Sequence, residues 1–446
     1  MTCVPALQSC TVKLCYPLLL LVLACPAGSA QTRKLSPKDL PPSAFKLISV
    51  KIAGSDRYTP QEITEAARLK IGETFTNDDF KAATERLGAS GAFSDVAYTY
   101  QYASEGTRLT FQLTESDKLV PVRFDNIVWY SDDELLAQLH DRVPLFHGRL
   151  PVSGYLADRA SDALQALMVE RGVSGKVDYL RAGPENGPIE GIVYSIKGPD
   201  IRVRKIDFSG ASPAEVEALQ AAAARLEGAD YSRSLLRAQE DKVFLPIYLA
   251  RGYLKSSFGD PLAKVVEGTS NPTLVDVTFP LVPGTQYKVS AVQVAGAQAF
   301  SQDRLRSLIH LKPGEPADAV QLQDDFLAIK KLYGTKGYMA AELQPTPQFD
   351  EAQSTVNYSI EVREGDVFKM GELTIEGLDK QTTARLEDDW KLRGGDPYDS
   401  SYPHRFLTEN TVELKGMGGW NETIHETLDD KDKIVDVSIR YDPKAR

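Results

Sequence analysis

Few side chains in this sequence have the types and the spacing that catalysis or metal binding requires. His140 and His147 lie on either side of a proline and lack the i, i+4 spacing of two helix-borne ligands, so we interpret them as surface histidines. The acidic pairs at 388–389 and 429–430 fit a solvated helix face and a turn better than catalytic carboxylates. No phosphate loop, dinucleotide fingerprint or nucleophile elbow is present. We therefore expect no enzymatic activity, no cofactor and no metal site.

Residues 1–30 have the pattern of a secretory signal peptide. An apolar run ends in Gly28-Ser29-Ala30, which places small residues before a cut at Gln31. All 4 cysteines lie in this segment, so the mature chain has no thiol and needs no disulfide. The sequence around Cys25 also resembles a lipoprotein box, which makes a lipid anchor at Cys25 the alternative to cleavage before Gln31. Both outcomes place the protein outside the cytoplasm.

The composition of the chain narrows its organisation and its partners. With 446 residues the chain is too long for a single core and predicts several domains. A net charge of -11 and the lack of a basic run argue against nucleic acid as a partner. Residues 31–44 contain three prolines among charged residues and are predicted to be a linker.

One unit recurs along the chain, and residues 285–365 show it most clearly. An alternating strand runs to Gly296, Ser301 fits the N-cap of a short helix, and a second helix is predicted from about Asp318. Two strands follow, and the last alternates apolar and polar residues from Val356 to Val362. The pattern predicts an α+β unit of order β-α-α-β-β, with a three-stranded mixed sheet covered on one face by two helices.

Five copies of this unit account for the chain after the linker. The predicted repeats cover residues 45–117, 118–200, 201–284, 285–365 and 366–446. The first strand of each repeat ends at Gly54, Asn126, Gly210, Gly296 or Gly377, positions that are 72, 84, 86 and 81 residues apart. We expect the glycines to form the turn at the strand end, and Asn126 to adopt the same positive φ.

Local signals also predict where the helices begin. Residues 59–62, 131–134 and 212–215 each carry a serine or threonine followed three positions later by glutamate, which is the pattern of a capping box. Pro246 lies within the predicted second helix of the third repeat and should kink or end it.

The repeats resemble a known family of domains. The turn sequences LKIGETF, LKPGEP and LRGGDPY, the glycine-aromatic steps GAF, RGYL and KGYM, and the strand ends TES, VPG and REG resemble POTRA (polypeptide-transport-associated) domains. An array of five is similar to the periplasmic part of the BamA family of outer-membrane protein assembly factors, over about residues 45 to 443. That family continues into a membrane barrel, and we expect the array alone because no series of amphipathic strands follows the fifth repeat. The resemblance implies a periplasmic protein associated with the outer membrane.

The predicted topology offers a binding mode that needs no special side chain. The strand before the last should lie at the sheet edge, where its free N–H and C=O groups can pair with an extended segment. In the first repeat this strand includes Val96, Ala97, Tyr98, Thr99 and Tyr100. The expected partners are unfolded or partly folded outer-membrane proteins, or a separate barrel or assembly complex, and no small-molecule substrate. The alternative is a structural scaffold or tether that spaces envelope complexes.

Overall fold

The computed structural model describes residues 41–414 and 420–443. The predicted signal peptide, Cys25 and most of the linker lie outside the described residues. The described chain divides into two compact units, of which the first holds the residues up to 88 together with 94–115, and the second holds 89–93 and the residues from 116 onward. None of the helices in the described part of the chain combines the length and hydrophobicity needed to cross a bilayer.

The first repeat contains five elements in the predicted order. They are β1 (Leu47–Ala53), α1 (Pro60–Ala66), α2 (Asn77–Ala89), β2 (Phe93–Ala103) and β3 (Gly106–Glu115). The second repeat adds a short strand between its helices. Its elements are β4 (Leu119–Phe124), α3 (Asp132–Arg142), β5 (Arg149–Pro151), α4 (Leu156–Glu170), β6 (Lys176–Ala182) and β7 (Gly191–Lys197).

The third repeat has the most interrupted helices. Its elements are β8 (Ile201–Ser209), α5 (Pro213–Ala223), α6 (Arg233–Gln239), α7 (Leu245–Leu249), β9 (Ser257–Phe258), β10 (Leu262–Val265) and β11 (Thr273–Val282). A π-helical turn at Glu240–Phe244 separates α6 from α7. Pro246 lies in the first turn of α7, so the predicted break occurs just before it.

The fourth and fifth repeats return to the simple order. The fourth contains β12 (Lys288–Ala295), α8 (Gln302–Arg306), α9 (Ala319–Gly334), β13 (Glu342–Asp350) and β14 (Thr355–Arg363). The fifth contains β15 (Lys369–Glu376), α10 (Lys380–Asp389), α11 (Tyr402–Leu414), β16 (Trp420–Asp429) and β17 (Ile434–Pro443).

Each predicted repeat contains one mixed sheet, which confirms the α+β class. The strand orders are β1-β3-β2, β12-β14-β13 and β15-β17-β16 in the first, fourth and fifth repeats. The first strand pairs in parallel with the last, as β12 does with β14, and the hairpin strand lies at the far edge. The prediction of three strands is wrong for the second and third repeats, where β5 joins β4 and where β9 and β10 join β11. Repeat boundaries remain predictions.

Two of the three predicted capping boxes form. Thr59 and Glu62 close one at the start of α1, and Ser131 and Glu134 close one at α3. The third prediction is wrong, because Ser212 makes no side-chain cap at α5. Glu215, its expected partner, is buried and instead accepts a hydrogen bond of 3.0 Å from Arg251.

The four strand-end glycines allow a close backbone approach. Their φ angles lie between 81° and 90°. A Cβ atom would lie only 2.0 to 2.4 Å from a carbonyl oxygen of the last strand of the same repeat, which no side chain tolerates. These glycines are Gly54, Gly210, Gly296 and Gly377.

In the second repeat, Asn126 connects the end of the first strand to the last strand through its side chain. It is not among the described residues with positive φ, so the expectation of a glycine-like conformation is wrong. Its side-chain amide donates a hydrogen bond of 3.0 Å to the Ile196 carbonyl and accepts one of 2.8 Å from the Ile196 N–H. The side chain therefore ties the end of β4 to β7 where the other repeats use direct backbone proximity.

The glycine turn after the first helix covers the start of the first strand. The Leu47 N–H donates 2.8 Å to the Glu73 carbonyl, and the Gly72 N–H donates 2.8 Å to the Leu47 carbonyl. The third, fourth and fifth repeats repeat this pair of bonds at Val203, Val289 and Met370. In the second repeat β5 pairs with β4 at this place. The outer edge of the first strand is thus occupied at its beginning.

Candidate functional site: the edge strand of the first sheet

Among the described strands, β2 lies at the edge of the first sheet, as predicted, and pairs only with β3. Its 11 residues form one of the longest strands of the described chain. Half-buried and exposed residues alternate from Val96 to Thr99, with Ala97 and Thr99 exposed, and Tyr100 is exposed as well. An edge strand of this length offers several backbone groups to an incoming chain.

A row of tyrosines follows the inner face of β2. Tyr98 and Tyr100 stack with ring centroids 6.3 Å apart, and Tyr100 meets Tyr102 edge to face at 5.1 Å. Phe80 of α2 supports Tyr100 at 5.3 Å, and the Tyr98 hydroxyl donates 3.1 Å to the Asn77 side chain. Tyr100 remains 36% exposed. The row is therefore held in place by α2 while its rim stays open to a ligand.

Burial affects the ionisation of Tyr102, at the end of this row. It raises the pKa of the Tyr102 hydroxyl, and the neighbouring Tyr100 raises it further. Tyr102 also contacts Phe45 at the start of the sheet, with ring centroids 5.0 Å apart. Tyr102 is consequently neutral around neutral pH and contributes hydrogen-bonding and apolar surface.

The fourth repeat reveals which backbone groups of such an edge strand face outward. In β13, Pro345 and Pro347 lie opposite Ile360 and Tyr358, which are buried in the core. Proline has no N–H and is tolerated in a paired strand only where that group would point away from the partner. Residues on this inner face therefore direct their N–H and C=O groups outward, because residues on one face of a strand share a backbone direction.

The same direction applies to the tyrosines of β2. The ring pair Phe45–Tyr102 of the first repeat corresponds to Tyr287–Phe349 of the fourth, with ring centroids 5.0 and 4.8 Å apart. Counting back along each strand aligns Tyr98 with Pro345 and Tyr100 with Pro347. The outward amides of β2 therefore belong to Tyr98 and Tyr100, whereas those of Ala97 and Thr99 face β3.

An acidic side chain fixes the loop beside the sheet. Glu115 accepts 2.7 Å from the Ser55 hydroxyl, 2.9 Å from the Asp56 N–H and 2.8 Å from the Arg57 N–H. Burial acts to raise the pKa of Glu115, but these hydrogen bonds outweigh it and lower the pKa. Glu364 accepts from the Gln298 and Ala299 amides in the fourth repeat in the same way. In the sequence, only the strand ends TES and REG signalled this role.

The histidines and the acidic turn residue that were considered as metal-binding or catalytic groups make ordinary structural contacts. The rings of His140 and His147 meet edge to face with centroids 5.1 Å apart, although their spacing did not predict contact. His140 Nδ1 lies 2.9 Å from the Phe146 carbonyl oxygen. Asp429 accepts hydrogen bonds from the amides of Lys431 and Asp432, as expected for a turn.

Comparison with known families points to the same domain type. The POTRA family model, described as "Surface antigen variable number repeat", matches residues 45–116 and 287–365. These two segments hold the sheets of the first and fourth repeats, including β2 and β13.

The similar curated proteins are assembly factors. A "Putative outer membrane protein assembly factor" of Treponema pallidum (strain Nichols) is 28% identical over 166 residues, which is 36% of this chain and 20% of that protein. "Outer membrane protein assembly factor BamA" of Neisseria meningitidis serogroup B is 20% identical over 394 residues, or 83% of this chain and 46% of that protein. The chain thus spans less than half the length of these two relatives.

Among solved structures, the third to fifth POTRA domains of Haemophilus influenzae BamA are similar at 19% identity. The match covers 54% of this chain and 96% of that structure, with a TM-score of 0.44. From these comparisons, residues 45–116 and 287–365 of this chain match the POTRA family model, and the chain is similar to the BamA assembly factors.

Proposed function

We propose that the chain is a non-catalytic periplasmic binding array for outer-membrane protein assembly or transport. The match of two segments to the POTRA family model and the similarity to outer-membrane protein assembly factors support this role. We infer that it associates with the outer membrane, with a lipid anchor at Cys25 as the alternative to cleavage before Gln31. Its partners would be unfolded or partly folded outer-membrane proteins, or an assembly complex.

The proposed binding mode is strand addition at β2. One observation carries it: the edge strand turns the N–H and C=O groups of Tyr98 and Tyr100 outward beside an open aromatic row. Backbone hydrogen bonds would supply affinity that depends little on the client's sequence. The tyrosine rings would add a modest preference for apolar or aromatic side chains.

Proline substitution tests this mode because it removes one outward donor. We expect Tyr98→Pro to weaken capture of an unfolded outer-membrane protein about tenfold or more, since it both removes the N–H and blocks close approach. The matched control Tyr98→Ala keeps the N–H and should cost about 1 kcal/mol or less, as should Tyr100→Ala. Binding is measured with the full chain, alongside thermal unfolding.

Proline at Ala97 or Thr99 serves as a second control for the assigned register. Their amides face β3, so we expect Ala97→Pro and Thr99→Pro to lower thermal stability more than Tyr98→Pro does. A folded Tyr98→Pro variant that captures the client as well as the parent would rule out strand addition at β2. The scaffold or tether function would then replace it.

A further inference from the structure

Among the described residues, β16 of the fifth repeat has no strand on its outer edge and no proline, whereas β13 of the fourth repeat carries two prolines. Ile424 and Glu426 lie opposite the buried Ile439 and Val437, in the same positions that Pro345 and Pro347 take in the fourth sheet. By the backbone direction established above, the N–H and C=O groups of Ile424 and Glu426 point away from β17. Strand β16 is the terminal strand of its sheet.

A groove of about 650 Å³ lies along this open edge, and two repeats build it. The fifth repeat contributes Ile424 and Glu426 of β16 with Ser401 and His404 at the start of the second helix. The C-terminal end of α9 in the fourth repeat contributes Lys331, Leu332 and Thr335. A segment paired with β16 would therefore place its side chains against residues of the preceding repeat.

Backbone contacts hold the two walls of the groove together. The Ser400 N–H donates 3.1 Å to the Gly334 carbonyl, and the Phe368 N–H donates 2.8 Å to the Gly337 carbonyl. A Cβ atom on Gly334 would lie 2.4 Å from the Ser400 hydroxyl oxygen, so the helix end and the loop are in direct contact. The groove is consequently present before a ligand arrives, which reduces the ordering that binding requires.

Two charged side chains that line the groove, Glu426 and Lys331, differ in whether they already have a partner. Glu426 already accepts a hydrogen bond of 2.6 Å from the buried Tyr398 hydroxyl. Lys331 is exposed and has no ion-pair partner among residues 41–414 and 420–443. Leu332 and Ile424 supply the apolar surface. These features complement a bulky apolar side chain accompanied by an acidic one.

We propose that the junction of the fourth and fifth repeats is a second strand-addition site, selective for an extended segment with an apolar residue and an acidic residue on one face. The segment pairs with β16 through the outward groups of Ile424 and Glu426, its apolar side chain contacts Leu332, and its carboxylate approaches Lys331. The proposal rests on the binding mode proposed above but places it at a different sheet.

The test uses the full chain and two labelled peptides of about ten residues, the length of a long strand. Both alternate threonine with leucine, and one leucine-face position carries either glutamate or lysine. We expect Ile424→Pro to weaken binding of the glutamate peptide about three- to tenfold through loss of a backbone donor. The control Ile424→Ala keeps that donor and should retain most of the binding.

A charge exchange on the other wall checks the groove without altering β16. The parent should prefer the glutamate peptide by about two- to fivefold, the range expected for an exposed ion pair, and Lys331→Glu should reverse the preference. No preference in the parent, together with no change in the variant, overturns the assignment. So does a dimer of the free chain that Ile424→Pro abolishes, because the groove would then hold a second copy.

The two sites are distinguished by measuring both peptides on Tyr98→Pro. If only Tyr98→Pro weakens binding, strand addition at β2 stands and the junction site is overturned. If neither proline variant affects binding of any probe, both proposals fail.

Discussion

Successive sheets of the second unit are joined in two different ways. Between the third and fourth repeats the Tyr287 N–H donates 2.8 Å to the Gly252 carbonyl, and Gly337 repeats this bond between the fourth and fifth. Between the second and third repeats, Arg233 pairs with Asp132 at 2.5 Å, and Asp125 accepts 2.7 Å from the Ser234 N–H. The connections at Gly252 and Gly337 depend on the absence of a side chain. The connection between the second and third repeats depends on charged side chains.

The glycine that follows the second helix therefore connects two repeats only where the start of the next repeat contacts it. Gly252 and Gly337 have φ angles of 84° and 85°, and a Cβ atom on either would lie 2.5 or 2.6 Å from a backbone oxygen of the next repeat. Gly172 occupies the same place in the second repeat with a φ of 76°, but its Cβ direction is open. There the side chains of Asp125, Asp132 and Arg233 make the connection instead.

The largest loss of stability should follow from adding a side chain at a glycine that connects two repeats. We expect Gly337→Ala to lower the free energy of unfolding by about 2–4 kcal/mol, because it combines left-handed backbone strain with a clash against a backbone oxygen. The matched control is Gly314→Ala, since Gly314 has a φ of 87° and open space around it. Strain alone should cost about 1–2 kcal/mol there.

Denaturant unfolding of the full chain, followed through tryptophan fluorescence, measures both variants. Trp390 lies in the core of the fifth repeat and reports on the region beyond Gly337. Equal losses for the two variants would mean that the close contact at Gly337 contributes nothing.

A smaller effect is expected at the charged connection between the second and third repeats. The side chains of Arg233 and Asp132 are 17% and 39% exposed, so this pair lies between buried and surface ion pairs. We expect Arg233→Ala to cost about 1–2 kcal/mol, and the loss to shrink at high salt as screening weakens the parent's pair. Unfolding at low and high ionic strength measures it.

Two comparisons make that result interpretable. Arg204→Ala removes a pair with Asp276 in which the side chains are 49% and 33% exposed, and it should lower stability less than Arg233→Ala does. The loss in Gly337→Ala should not depend on salt, because no charge is involved. The same salt dependence in Gly337→Ala and Arg233→Ala would contradict the distinction between the two kinds of connection.

The smallest effect should come from the charges beside a glycine that connects two repeats. Lys255 pairs with Glu351 beside the connection between the third and fourth repeats, but the two side chains are 47% and 61% exposed. We therefore expect Lys255→Met to change stability less than any of the variants above. A loss as large as that of Arg233→Ala, measured by the same unfolding assay, would show that charge also holds this connection.

The sequence predicted the sheets better than their connections. Alternation, caps and glycines are local signals, so the β-α-α-β-β order and the edge position of β2 followed from them. The pair of Asp132 and Arg233 was not predictable, because its members are 101 positions apart and neither belongs to a motif. The capping box at Ser212 failed for a related reason, since Glu215 finds a partner in Arg251, 36 positions downstream.

The candidate binding edge at β2 was predictable only in part. The strand and its tyrosines were identified from alternation, but the outward amides required the pairing register. Pro345 and Pro347 are visible in the sequence as two prolines in a strand, and their meaning appears only once they lie opposite Ile360 and Tyr358. The junction groove was missed because its residues come from two repeats and none of them is unusual.

The prolines of β13 also have a consequence for the behaviour of the protein in concentrated solution. A nine-residue edge strand without prolines is a template on which a second copy can add, and repeated addition leads to aggregates. Pro345 and Pro347 lack the backbone N–H groups that such pairing needs in the middle of the strand. They therefore oppose pairing between the β13 strands of two copies of the chain. The same two residues thereby protect the chain against self-association through this sheet edge.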